Sequence, residues 1–152
     1  MSLIEKRLKE LGISIPIIPP PKFSYIPGVV VGNLAFVSGQ TPTINGELKF
    51  KGKVSIDLSV EQAYLAAQLA ALNCIGELKV VLGDLDRVKR IVQVSGYVAS
   101  SEGFVEQPQV VNGASDLILQ VWGEFGKHAR KAIGVKELPG GAPVEVELIA
   151  EI

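Results

Sequence analysis

Between Val60 and Leu82 the chain reads VEQAYLAAQLAALNCIGELKVVL, a proline-free run of mostly alanine and leucine whose main polar interruptions are Glu61, Gln62, Gln68, Asn73, Glu77 and Lys79. So few polar positions leave one broad apolar face, and a helix of that kind has to be covered over most of its length. Ser59 with Gln62 has capping-box spacing at its start, Asp57 is a second candidate cap, and Gly83 can end it. Any fold of this chain is built around that helix.

The segments that cover it are short and β-like. Val29 to Val31 and Leu34 to Ser38 flank Gly32-Asn33, a dipeptide suited to a tight hairpin. Asn45-Gly46 is another turn signal, ahead of Leu48 to Phe50. Val88 to Ala99 carries Ile91, Val92, Val94, Tyr97 and Val98 and predicts a long central strand, followed by a polar loop from Ser100 to Pro108. Leu117, Ile118, Val121, Trp122 and Phe125 recur at helical spacing, predicting a second helix within Val110 to Phe125 with Asn112 or Ser115 as cap and Gly126 at its end. Lys131 to Val135 and Val144 to Ile152 predict two last strands, joined by a Pro/Gly loop. Upstream, Ser2 and Glu5 have capping-box spacing for a short helix carrying Leu3, Ile4, Leu8 and Leu11. The four prolines between Ile13 and Pro21 remove backbone donors and predict an extended surface arm.

Strands outnumber helices and both long helices have one apolar stripe, so the economical architecture is α+β: one mixed sheet with two helices packed on one face. At 152 residues the chain makes a single domain, with residues 1–24 as helix and arm and 25–152 as core. The other sheet face would expose more apolar surface than a monomer usually carries, which predicts a homo-oligomer with sites at subunit boundaries. The net charge is −1, so electrostatic attraction to nucleic acid or anionic lipid is not expected. The single cysteine excludes an intrachain disulfide, no apolar run reads as long enough to cross a bilayer, and the N-terminus lacks the core of a signal peptide. A cytoplasmic protein is expected.

Little of the sequence carries chemistry. Cys74 sits among apolar residues and reads as core; His128 is the lone histidine, without metal-ligand spacing, and reads as a cap or surface residue. Dinucleotide, P-loop and serine-hydrolase motifs are missing, so no cofactor and no metal site are indicated. What stands out is HARKAIGVKELPGGAPVEVELIAEI, from His128 to Ile152. Arg130 keeps its charge at any ordinary pH, and if turned inward it needs an anionic partner, a carboxylate or a ligand. Strand alternation puts Glu145 and Glu147 on one face, with Val144, Val146 and Leu148 on the other. Either a glutamate pairs with Arg130 structurally, both solvated, or Arg130 clamps a substrate carboxylate while a glutamate handles a water.

VGNLAFVSGQTP together with HARKAIGVKELPGGAPVEVELIA closely resembles the RidA/YjgF family of reactive-intermediate deaminases, formerly described as L-PSP endoribonucleases or translation-inhibition proteins. The similarity runs from about Tyr25 to the C-terminus. It implies a chorismate-mutase-like sheet with two helices on one face, assembled as a homotrimer with ligand clefts between subunits. It also implies hydrolysis of an enamine or imine such as 2-aminoacrylate to a 2-keto acid and ammonia. Arg130 matches the family's carboxylate-binding arginine and Glu145 its water-positioning glutamate. Tyr25, Ser38, Gly39 and Gln40 match the tyrosine and turn beside the first hairpin, Asn112 matches the asparagine after the long strand, and backbone near Gly39 and Ala132 would bind polar edges of the ligand. The family's G-P-Y is F-S-Y here, its frequent cysteine is Ala132, and the stretch from Ser100 to Asn112 is longer than in compact members, as is the N-terminus. These departures suggest a longer subgroup. Two other functions stay in view: a non-catalytic trimer that binds small carboxylates or 2-keto acids and regulates a partner, and third an endoribonuclease, which the acidic balance disfavours.

Overall fold

A computed structural model describes residues 1–152. After a short helix α1 (Leu3–Glu10), whose Ser2 and Glu5 form the expected capping box, the chain runs without regular structure to the first hairpin. That hairpin is β1 (Gly28–Val31) and β2 (Leu34–Gln40), and a smaller one follows, β3 (Thr43–Ile44) and β4 (Glu47–Leu48). Asn45 and Gly46, at φ 54 and 79, make the turn between the small strands. Then come α2 (Val60–Leu82), β5 (Arg90–Ala99), α3 (Gln107–Trp122), β6 (Ala129–Val135) and β7 (Val144–Glu151). Of the expected strand at Leu48 to Phe50 only Glu47–Leu48 is paired.

The five long strands form one mixed sheet in the order β1-β2-β7-β5-β6, with β5 and β6 parallel and the other pairs antiparallel. Helices α2 and α3 cover one face. Along β7 the burial alternates strictly, with Val144, Val146, Leu148 and Ala150 buried under the helices and Glu145, Glu147 and Ile149 only half-buried on the far face. The core is continuous from Leu8 through the α2 alanines to Trp122 and Ala150. Where α2 crosses α3, a Cβ on Gly113 would fall 2.0 Å from the carbonyl oxygen of Tyr64, so the two backbones touch there.

Two expectations need correction. Helix α3 begins at Gln107, inside the stretch that reads as loop, because Pro108 stands in its first turn, where a missing N–H costs nothing and the ring pre-sets φ. Asn112 and Ser115 therefore lie in its interior and cap nothing. The helix ends at Trp122, where Gly123 turns to φ 57, and Gly123–Gly126 continues as a 3-10 turn. The second correction concerns α2, whose 23 residues do have the length and hydropathy of a membrane span. In this fold they are spent on the core: Ala63, Ala66, Ala67, Ala70 and Ala71 are fully buried, and the face includes buried Asn73 and Glu77.

Candidate functional site

The β2–β7 ladder slips between Val37 and Gln40, which pair with Leu148 and Val146, so β2 holds one residue more than its partner. The bulge falls on Ser38 and Gly39. The Ser38 hydroxyl donates to the Ile26 carbonyl at 2.6 Å and its N–H to Pro27 O at 2.8 Å, tying the bulge to the segment that carries Tyr25. At Gly39 a Cβ would lie 3.0 Å from Cδ of Glu145, so the glycine makes room for that carboxyl. Burial, and next the neighbouring Glu147, push the Glu145 carboxyl above its ordinary value. Glu147 itself accepts a 2.7 Å hydrogen bond from the Tyr97 hydroxyl, which holds the tyrosine's proton on. Tyr25, half-exposed, Gly39 and Gln40 also line a cleft of about 200 Å³ between the N-terminal arm and α2.

Arg130 stands elsewhere. It lies on β6, the edge strand, and its side chain turns to the helix face, where Nη1 donates to Oδ1 of Asn112 at 2.8 Å and to Oγ of Ser115 at 3.3 Å. Ser115 Oγ is also 2.9 Å from Nε2 of His128, whose Nδ1 is 2.5 Å from the Gly126 carbonyl oxygen. A carbonyl can only accept, so in neutral His128 the proton sits on Nδ1, Nε2 accepts from the serine, and the serine accepts from the arginine. Three neutral groups thus aim the guanidinium without compensating its charge. Of the two alternatives for Arg130, the ion pair with a glutamate is not formed within the chain: Arg130 is exposed and its acceptors are neutral. Solvent supports the charge, and the glutamates of β7 point away on the other face. Ala132, two residues on, is half-buried on the same side as Arg130.

The fold therefore sorts the candidate residues into two groups. Tyr25, Ser38, Gly39 and Glu145 come together at the β2 bulge, while Arg130, Asn112 and Ala132 gather at β6 and α3. In register Arg130 lies opposite Val94 and Glu145 opposite Tyr97, so β5 separates them. Two strand spacings of about 4.8 Å and three residues along the strand lie between them, on opposite faces of the sheet. One small ligand cannot touch both in a single chain. Ser115 and His128 belong to the Arg130 group and were not among the site candidates: His128 opens the segment that carries Arg130 but reads as a cap or surface residue, and only the early start of α3 brings Ser115 to face β6. Cys74, fully buried with its Sγ donating to Val146 O, has its thiol raised well above the usual range by burial and serves the core.

The whole chain has known counterparts. Residues 5–152 match the model of the family described as "YjgF/chorismate_mutase-like, putative endoribonuclease". The match begins well before Tyr25, so most of α1 and the arm lie inside it. The chain belongs to this RidA/YjgF (L-PSP) family. It is 43% identical to Protein TCP17 of Trypanosoma cruzi over 98% of this chain and 94% of that protein. Among solved structures it resembles the protein Atu1372, of unknown function, from Agrobacterium tumefaciens, with 45% identity, a TM-score of 0.90 and coverage of 99% of this chain and 92% of that one. A structure described as a putative endoribonuclease from Shewanella oneidensis gives a TM-score of 0.94 at 34% identity, over 98% of this chain and 99% of that one. The long N-terminus is thus shared with close relatives.

Proposed function

We propose that this chain hydrolyses reactive enamines and imines of the 2-aminoacrylate type to 2-keto acids and ammonia, as a homotrimer in which Arg130 of one copy and Glu145 of another face the same ligand. The observation that carries this reading is the uncompensated guanidinium of Arg130, held in place by Asn112 and Ser115. Such a fork suits bidentate capture of a carboxylate. A second support is Glu145, half-buried against Gly39 with a raised proton affinity, which makes its carboxylate a stronger base.

In this reading Arg130 fixes the ligand carboxylate and Glu145 takes a proton from water as the hydroxyl oxygen bonds to the imine carbon. Glu145 passes that proton to nitrogen, giving a carbinolamine. As the carbon–nitrogen bond breaks, nitrogen takes up the proton of the new hydroxyl and leaves as ammonia, and the hydroxyl oxygen becomes the carbonyl of the 2-keto acid. An enamine first takes a proton on its β-carbon and loses one from nitrogen to become the imine. One water is consumed for each ammonia released. Tyr25 and Gly39 would wall the reacting end, with backbone near Ala132 binding the ligand's other polar edge.

Ammonia release from 2-imino acids generated in place by an amino-acid oxidase tests the reading. The wild type is expected to accelerate it, and Arg130→Ala to abolish the acceleration. Equal rates with and without protein would rule out the deaminase. An inactive wild type whose melting temperature a 2-keto acid raises in an Arg130-dependent way would instead support the non-catalytic binder. RNA cleavage that persists in Arg130→Ala at high salt would overturn both.

A further inference from the structure

Asn73 and Glu77 lie one turn apart on the same face of α2, only 2% and 6% exposed. Asn73 is committed: its Nδ2 donates to the carbonyls of Thr41 and Thr43 at 3.0 and 2.9 Å and so fixes the chain after β2. Glu77 is not. Its Oε2 is closed off from solvent and has no hydrogen-bond partner. A buried carboxyl oxygen in that state is destabilising, and buried polar groups are rarely left so.

The surroundings explain why nothing in the chain satisfies it. Glu77 lines the cleft between α2 and the arm, and the arm residues there include Pro19, Pro20 and Pro21, which have no N–H to donate. Lys22 follows on the rim, but none of the chain's ion pairs joins it to Glu77. The arm is seated firmly beside this position, since a Cβ on Gly76 would fall 2.6 Å from Cδ1 of Ile18. The same cleft is lined by Tyr25 and Gly39, and by Phe23, which is 80% exposed.

We infer that Glu77 anchors a cationic nitrogen, an ammonium or guanidinium, at the end of the substrate remote from its carboxylate. Gly39 borders both the Glu145 carboxyl and this cleft. A substrate whose reacting carbon lies at Glu145 would therefore turn its tail round the end of β2 past Gly39, then by Phe23 and Tyr25, whose ring faces attract a cation, to Glu77. The substrates selected are then imines of amino acids with basic side chains. Burial alone raises the Glu77 carboxyl above its ordinary value, and a cation beside it reverses that direction. The placement of the reacting end rests on the deaminase reading; the anchor itself does not.

Calorimetric titration of the protein with two unreactive carboxylates, 5-guanidinopentanoate with a cationic end and hexanoate with an apolar one, tests the anchor. The wild type is expected to bind the guanidino acid about tenfold or more tightly than hexanoate, and Glu77→Gln to lose that preference. Equal affinities in the wild type, or an equal preference in both proteins, overturn the inference. Should the glutamine variant not fold, Glu77→Met removes the unpartnered carboxyl altogether and is read by the same ratio. Arg130→Ala separates the two readings. If it weakens both ligands alike and leaves the ratio, both stand. If it leaves both affinities unchanged while Glu77→Gln abolishes the preference, the anchor stands and the deaminase reading falls.

Discussion

Ser115 holds two bonds at once, accepting from Arg130 while donating to His128. Its removal leaves the arginine with Asn112 alone, free to swing, and a looser guanidinium should show in ground-state capture of the carboxylate. Ser115→Ala is therefore expected to raise KM about fivefold with a smaller change in kcat, a difference steady-state kinetics resolves. Glu145 gives a prediction in pH. A general base works ionised, and burial lifts this carboxyl above the ordinary 4.5, so the acid limb of the wild-type kcat/KM profile should have its midpoint above 4.5. At this scale the co-facing pair Glu145 and Glu147 was legible in the sequence, because side chains alternate along a strand. The orphan at Glu77 and the relay through Ser115 and His128 were not. Each depends on what a distant segment fails to donate or happens to face, and a linear pattern carries neither.

The elements themselves were largely readable: the apolar run of α2 with its serine cap, the hairpin at Gly32-Asn33 and the alternating last strand all form where local chemistry puts them. The beginning of α3 was missed for a definite reason. A proline after a polar loop reads as a breaker, although the first turn of a helix accepts it, and the shift moves Asn112 and Ser115 from a supposed cap to mid-helix. The packing of α3 on α2 depends on Gly113, which no periodicity flags. Gly113→Ala would drive a methyl into the Tyr64 carbonyl, and backbone cannot rotate away as a side chain can. A loss of at least about 1–3 kcal/mol in denaturant unfolding is expected, larger than any propensity gain from alanine.

For the molecule as a whole, the sheet face away from the helices carries exposed Phe36 and Ile133 around half-buried Glu145 and Glu147. Because Arg130 and Glu145 lie on opposite faces, the proposed trimer makes a sharp prediction. Mixed after dissociation and reassembly, the inactive Arg130→Ala and Glu145→Gln proteins should regain activity, since some interfaces then join an intact arginine to an intact glutamate. With equal amounts, about a quarter of the sites are complete. No recovery above the separate variants would contradict a site shared between copies.

The sheet order has a consequence for how the protein is made. Strand β7 is the last element in sequence yet sits between β2 and β5, pairing with both. During synthesis the first hairpin and the later β5–β6 pair must wait as separate pieces, each with a bare edge, until residues 144–151 have cleared the ribosome. Such edges are templates for pairing with another chain. The nascent protein is therefore most exposed to aggregation just before its final strand arrives, and closure of the sheet is the moment at which the Glu145 half of the site comes into being.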